Sequence, residues 1–263
     1  MNTPTITVEN HKKVYEYFRD IELPATRLKQ WYGAMNFLLK PRVHYADGAR
    51  NDLDLIRDKK YHHIYTFNHR GDWDAYEYFS ILDHVAPYDV GNIHALANSF
   101  LFEASHLRPL GKLMKDFGLM PVFLRSYYSQ DKPHKDHPER LNFIPQATAG
   151  LLDLCTYMLL NRHKKLLICP EGEYNKGPVD TILPIQKGTA EIARRVAEID
   201  GPVAITPIGL VYGKKQRRFV QPFRVSAFVE RSLFVESGMS NKDITQKLNN
   251  LLLSSVKNAA ERY

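Results

Sequence analysis

Cysteine is nearly absent from this 263-residue chain: only Cys155 and Cys169 occur, each inside an apolar run. That excludes a disulfide framework and makes a reducing compartment the expected setting. The opening residues are polar and charged, without the apolar core of a signal peptide. No stretch approaches the roughly 18 apolar residues that a bilayer crossing requires, so no membrane span is expected. Internal repeats and low-complexity tracts are also missing. His134 and His137 come nearest to metal-ligand spacing, but no third ligand accompanies them, so they read as solvated loop residues and no metal is expected.

What is present is ordinary in amount and informative in order. Hydrophobic residues make up 44% and charged residues 25%, enough for the core of one large α/β domain or two small ones. The formal net charge is +7. Its densest clusters, Arg162-His163-Lys164-Lys165 and Lys214-Lys215-Gln216-Arg217-Arg218, read as solvated turns or as attraction for anionic headgroups and phosphorylated donors. No recognised motif supports nucleic acid as a partner.

Residues 1–60 read as a mainly helical, peripheral extension. Within it Leu28–Leu39 is apolar and aromatic with Lys29 and Lys40 at its flanks, which suits either a core-packed helix or one lying in a membrane interface. Residues 61–263 alternate strands and helices. His62–Phe67, Asn92–Ala97, Leu119–Leu124, Lys165–Cys169, Val203–Val211 and Phe223–Val229 read as strands, with helical stretches near 72–84, 100–117, 146–161, 186–199 and 241–260. The expected fold is therefore α/β, with a largely parallel central sheet flanked by helices. Ser126–Pro145 is polar, proline-punctuated and aperiodic, and reads as a long loop or lid.

Two short stretches carry chemistry. In Asn68-His69-Arg70-Gly71-Asp72-Trp73-Asp74, a histidine precedes an aspartate by five residues at a strand-to-helix junction. Five residues along a helix is a rotation of roughly 140°, so the two side chains meet only if His69 lies on the loop and folds back, with Gly71 permitting the bend. A carboxylate on one ring nitrogen leaves the other free to take a proton, a general base suited to a hydroxyl that the substrate supplies. The second stretch, Cys169-Pro170-Glu171-Gly172-Glu173-Tyr174-Asn175-Lys176-Gly177, places a carboxylate at a strand end, where it can bind hydroxyls or orient a cation.

Together and in this order the two stretches resemble the glycerolipid acyltransferase family. Gly118-Leu-Met-Pro-Val-Phe-Leu-Arg125 and Ala204-Ile-Thr-Pro207-Ile208-Gly-Leu are similar to that family's second and fourth motifs. The resemblance covers roughly residues 60 to 230. It implies transfer of an acyl group from acyl-coenzyme A or acyl-carrier protein to a hydroxyl of a glycerolipid or lysophospholipid, with no bound cofactor. His69 would be the base and Asp74 its support; Arg125 would meet an acceptor phosphate, and Glu171 and Gly172 would bind the acceptor. Glu173 and Tyr174 stand where the family has threonine and arginine, and Lys176 offers a cation at a position that is not the family's. Those departures point to an acceptor other than a simple phosphomonoester. A peripheral position on the cytoplasmic face of the inner membrane is expected. The alternatives are the same transfer to a non-glycerolipid hydroxyl or amine, or a lipid- or thioester-binding protein without turnover.

Overall fold

The computed structural model describes residues 4–71, 74–89, 91–103, 117–129, 138–212 and 225–263. Its strands are β1 (Arg42–Tyr45), β2 (His62–Phe67), β3 (Ile93–Asn98), β4 (Leu119–Val122), β5 (Lys165–Ile168), β6 (Val203–Tyr212), β7 (Val225–Val229) and β8 (Leu233–Val235). The helices among these residues are α1 (His11–Asp20), α2 (Ala25–Leu39), α3 (Ala49–Lys59), α4 (Asp74–Val85), α5 (Phe100–Glu103), α6 (Arg125–Ser129), α7 (Ile144–Arg162), α8 (Gly188–Asp200) and α9 (Asn241–Glu261).

The strands form one eight-stranded sheet in the order β1-β7-β6-β2-β5-β3-β4, with β8 also on β6. β6, β2, β5, β3 and β4 run parallel, while β7 and β8 lie antiparallel to β6. The fold is thus the expected α/β arrangement of a largely parallel, helix-flanked sheet. Central β2 is buried along its whole length, as an aromatic-rich run covered on both faces must be. Helix α9 lies over β6 at Gly209, where an added Cβ would sit 2.2 Å from the backbone carbon of Ser255. Only glycine admits so close a crossing.

The residues before 60 contribute more than a peripheral helical layer. β1 pairs in parallel with β7, a strand too short and polar to stand out in the sequence. Val14, Phe18, Leu28 and Tyr32 join the same apolar cluster as the sheet. Leu28–Leu39 falls within α2, which packs on the core through part of its surface. Tyr32 is buried with its ring 5.0 Å from that of Phe79, and Asn36 Nδ2 donates to Asp83 Oδ2 at 2.9 Å, fastening α2 to α4. Phe37 remains 74% exposed, and Trp31, 37% exposed, sets its ring edge-on 5.7 Å from that of buried Phe117.

Two expectations need correction. Ser126–Pro145 is not one long loop: α6 occupies its start, a 3-10 turn spans Pro138–Phe143, and α7 begins at Ile144. Pro138 and Pro145 stand at helix starts, where a missing N–H costs nothing. Residues 130–137, with His134 and His137, lie outside the described residues, as do the 214–218 cluster, Asp72, and the 104–116 part of the helix expected over 100–117. The second correction concerns length: residues 138–162 form a helical stretch long and apolar enough, by length and composition, to cross a membrane. Its Leu151, Leu154, Cys155, Met158 and Leu159 are buried, α7 packs on α1 and α8, and 39% of the apolar window is buried.

Candidate active site

Because β2, β4, β5 and β6 are parallel, the segments that follow them emerge at one edge of the sheet, the edge where open α/β sheets bind ligands. Asn68 follows β2 and is fully buried. Its side chain continues the ladder by hand: Nδ2 donates to Leu210 O at 2.9 Å, and Leu210 N donates to Oδ1 at 2.6 Å. With the backbone so released, His69 leaves the sheet on a loop. That loop is held from both sides, since His69 N donates to Glu171 Oε1 at 2.7 Å and Asn175 N donates to His69 O at 2.7 Å.

The imidazole folds back as expected. His69 Nδ1 lies 2.7 Å from Asp74 Oδ2, at the first residue of α4. The carboxylate partner makes Nδ1 the protonated nitrogen and leaves a lone pair on Nε2. The His69 side chain is 25% exposed and that of Asp74 only 2%, so the ring faces outward from a buried anchor. Five donor groups converge on Asp74. Oδ2 also accepts from Arg70 N (2.6 Å) and Gly71 N (3.1 Å) and shares the single proton of the Tyr78 hydroxyl (3.0 Å) with Asn68 O (2.9 Å), and Oδ1 accepts from the Tyr212 hydroxyl (2.7 Å). Gly71 is required for closeness more than for bending: its φ is not positive, and an added Cβ would meet the Tyr212 hydroxyl at 2.9 Å.

The remaining expected site residues separate into two groups. Glu171 is buried and both its oxygens are taken, Oε1 by His69 N and Oε2 by Leu183 N at 2.5 Å. Burial raises its carboxyl above the ordinary range, and those two N–H groups pull it back. Glu171 therefore braces the His69 loop through both of its oxygens. Gly172 supports the turn with φ +74°. Tyr174 lies with its ring 4.3 Å from the His69 ring, while Glu173 and Lys176 are exposed on the same loop. Arg125, exposed at the start of α6, follows β4 at this edge but three strand positions from β2, about 14 Å at ordinary strand spacing. It makes no hydrogen bond or ion pair with the other site residues among those described.

Two further groups sharpen the chemistry. Cys169 Sγ donates to the Tyr78 hydroxyl at 3.1 Å, and burial pushes its thiol far up, so it remains a protonated donor rather than a nucleophile. Glu77, one helical turn beyond Asp74, is 1% exposed, and neither of its oxygens has a partner among the described residues. Burial, with Asp74 adding to it, pushes its carboxyl up to about 9, so it is neutral at physiological pH. No described side chain hydrogen-bonds His69 Nε2. Among the described residues, no group of three or more His, Cys, Asp or Glu is arranged to hold a metal ion.

Tyr78, Tyr212, Asn68 and Asn175 were not singled out in the sequence. Tyr78 was accessible, standing four residues after Asp74 on one helical face. Tyr212 reaches the site only through the pairing of β6 with β2, which no local pattern encodes. A cavity of about 580 Å³ lies at the opposite edge of the sheet, lined in part by Lys59, Lys60, His62, His163 and Lys165. Helices α3, α7 and α8 end there, and their carbonyl ends account for the basic residues. None of the expected site residues lines it. No protein-family model matches the chain, and no curated protein does.

Proposed function

We propose that the chain is an O-acyltransferase that moves a fatty acyl group from acyl-coenzyme A or acyl-carrier protein to a lipid hydroxyl. One observation carries this reading: a histidine with its Nδ1 on a buried carboxylate and, among the described residues, neither a partner nor a nucleophile on its Nε2. Such a base acts on a hydroxyl brought by the substrate. Nε2 removes the hydroxyl proton as the oxygen attacks the thioester carbonyl. Asp74 stabilises the imidazolium that results. Collapse of the tetrahedral intermediate breaks the C–S bond, and the departing sulfur takes the proton from Nε2. The products are an ester and a free thiol, and the base is restored. The ordered motifs of the glycerolipid acyltransferase family support the same chemistry, with a glycerolipid or lysophospholipid as acceptor.

The surroundings of His69 bear on the acceptor head. Tyr174 stands against the ring, Glu173 and Lys176 are exposed on the same loop, and Arg125 follows a strand three positions away. A neutral, zwitterionic or cationic head suits this setting better than a phosphomonoester dianion. The exposed Trp31 and Phe37 of α2, with the Lys40 ammonium 5.5 Å from the Phe37 ring centroid, support peripheral attachment to the cytoplasmic face of the inner membrane. Lysolipid acceptors competing in one reaction, with products resolved by mass spectrometry, test the assignment through relative kcat/KM values. An acylated neutral or zwitterionic lysolipid is expected as the main product. A clear preference for 1-acylglycerol-3-phosphate would overturn the acceptor reading, and thiol release without any acceptor would make the protein a hydrolase.

A further inference from the structure

We infer that Tyr212 is a positioning residue of the His69–Asp74 pair: its hydroxyl fixes Asp74 Oδ1 and draws charge from it, so the last residue of β6 governs how strongly the carboxylate supports the imidazole. Two independent features of the geometry lead here. Oδ2 is shared among four donors, whereas Oδ1 of this buried carboxylate has the Tyr212 hydroxyl, at 2.7 Å, as its partner among the described residues. The first-motif loop is also cut to fit that hydroxyl. A Cβ at residue 71 would lie 2.9 Å from it, so the absence of a side chain at Gly71 is what lets Tyr212 reach the aspartate.

The physical consequence has a definite sign. A hydroxyl donating to a carboxylate delocalises its charge and lowers its attraction for a neighbouring imidazolium. Removing the donor concentrates charge on Asp74, and His69 then holds its proton more tightly. Among the described residues, the other ionisable groups near the pair are Glu77 and Tyr78 on α4, Cys169 just after β5, Glu171 and Tyr174 on the following loop, and Arg70 beside His69. Tyr78 and Tyr212 are held in the protonated, donating form by burial. Glu77 is neutral at physiological pH. A change at Tyr212 therefore acts on Asp74 without first altering the charge of these neighbours.

The functional side of this inference rests on His69 being the base of the proposed transfer; the titration of His69 does not. The test is an NMR titration of the imidazole in protein labelled at histidine, with the His69 signal identified by its loss in His69→Ala. Tyr212→Phe is expected to raise the proton affinity of His69 by about 3- to 10-fold, the range for losing one hydrogen bond to a charged group in part. Gly71→Ala, which keeps the tyrosine but displaces its hydroxyl, is expected to shift the titration in the same direction. The double variant should shift no further than the larger single one. If transfer is observed, the acid limb of its pH profile should move up in parallel. An unchanged His69 titration in a folded Tyr212→Phe or Gly71→Ala protein, or additive shifts in the double variant, would overturn the inference. Absence of turnover in the wild-type protein would instead count against the acyltransferase reading and leave the titration result standing.

Discussion

Replacing Glu77 with glutamine removes a titration from the interior while keeping the side chain's shape. In the folded chain this carboxyl is 1% exposed, lacks a partner among the described residues and has its pKa pushed from 4.5 up to about 9. A carboxyl with a higher pKa in the folded state keeps its proton over the window in which the unfolded chain has lost it. Stability therefore falls as pH rises from about 4.5 toward about 9. Between pH 5 and pH 7 the folded group stays protonated while the unfolded group completes its ionisation, a loss of about 2.5 kcal/mol. Glutamine carries no such linkage, and any cost of burying its amide is the same at both pH values. Urea unfolding of wild type and Glu77→Gln at pH 5 and pH 7 measures the difference directly, since every other titrating group cancels between the two proteins. The advantage of the variant is expected to grow by about 2.5 kcal/mol over that interval. Parallel pH dependences would show that Glu77 is ionised in the folded protein and that the reasoning from its burial is wrong.

Two further outcomes follow from other parts of the molecule. Phe37→Glu alters an exposed position of α2 and leaves the buried Tyr32 and Leu28 untouched, so the variant should keep the fold and lose flotation with anionic liposomes. Flotation of the wild type should weaken in high salt; a wild type that stays wholly in solution would leave α2's outer face without this role. Gly209→Ala is expected to cost at least about 3 kcal/mol or prevent folding, because the new methyl collides with the backbone of α9 at Ser255. A denaturation midpoint near that of the wild type would mean that the helix can shift off the strand.

The sequence carried the sheet and the dyad because both rest on local signals. β2 is an uninterrupted apolar-aromatic run, and His69 and Asp74 are brought together by five residues of loop and helix start. The elements that escaped it depend on partners far along the chain. β1 and β8 are short strands whose existence is decided by β7 and β6. The helical turns flanking 130–137 were hidden by prolines that mark helix starts as readily as loops. At the site, Glu171 was recognised as special, but its work was not legible: its two backbone donors, His69 and Leu183, come from different loops. Tyr212 was invisible for the same reason, since only the parallel register of β6 on β2 delivers its hydroxyl to Asp74.

The central claim is that His69 removes a proton from an acceptor hydroxyl during acyl transfer from a thioester. Its most direct test is the rate of free-thiol release from a long-chain acyl thioester, measured with and without a lysolipid acceptor, for wild-type protein and for His69→Ala of unchanged circular dichroism. The wild type is expected to release thiol in proportion to acceptor, and His69→Ala to lose that acceptor-dependent rate by about 100-fold or more. Acceptor-dependent release at the wild-type rate in folded His69→Ala would contradict the claim.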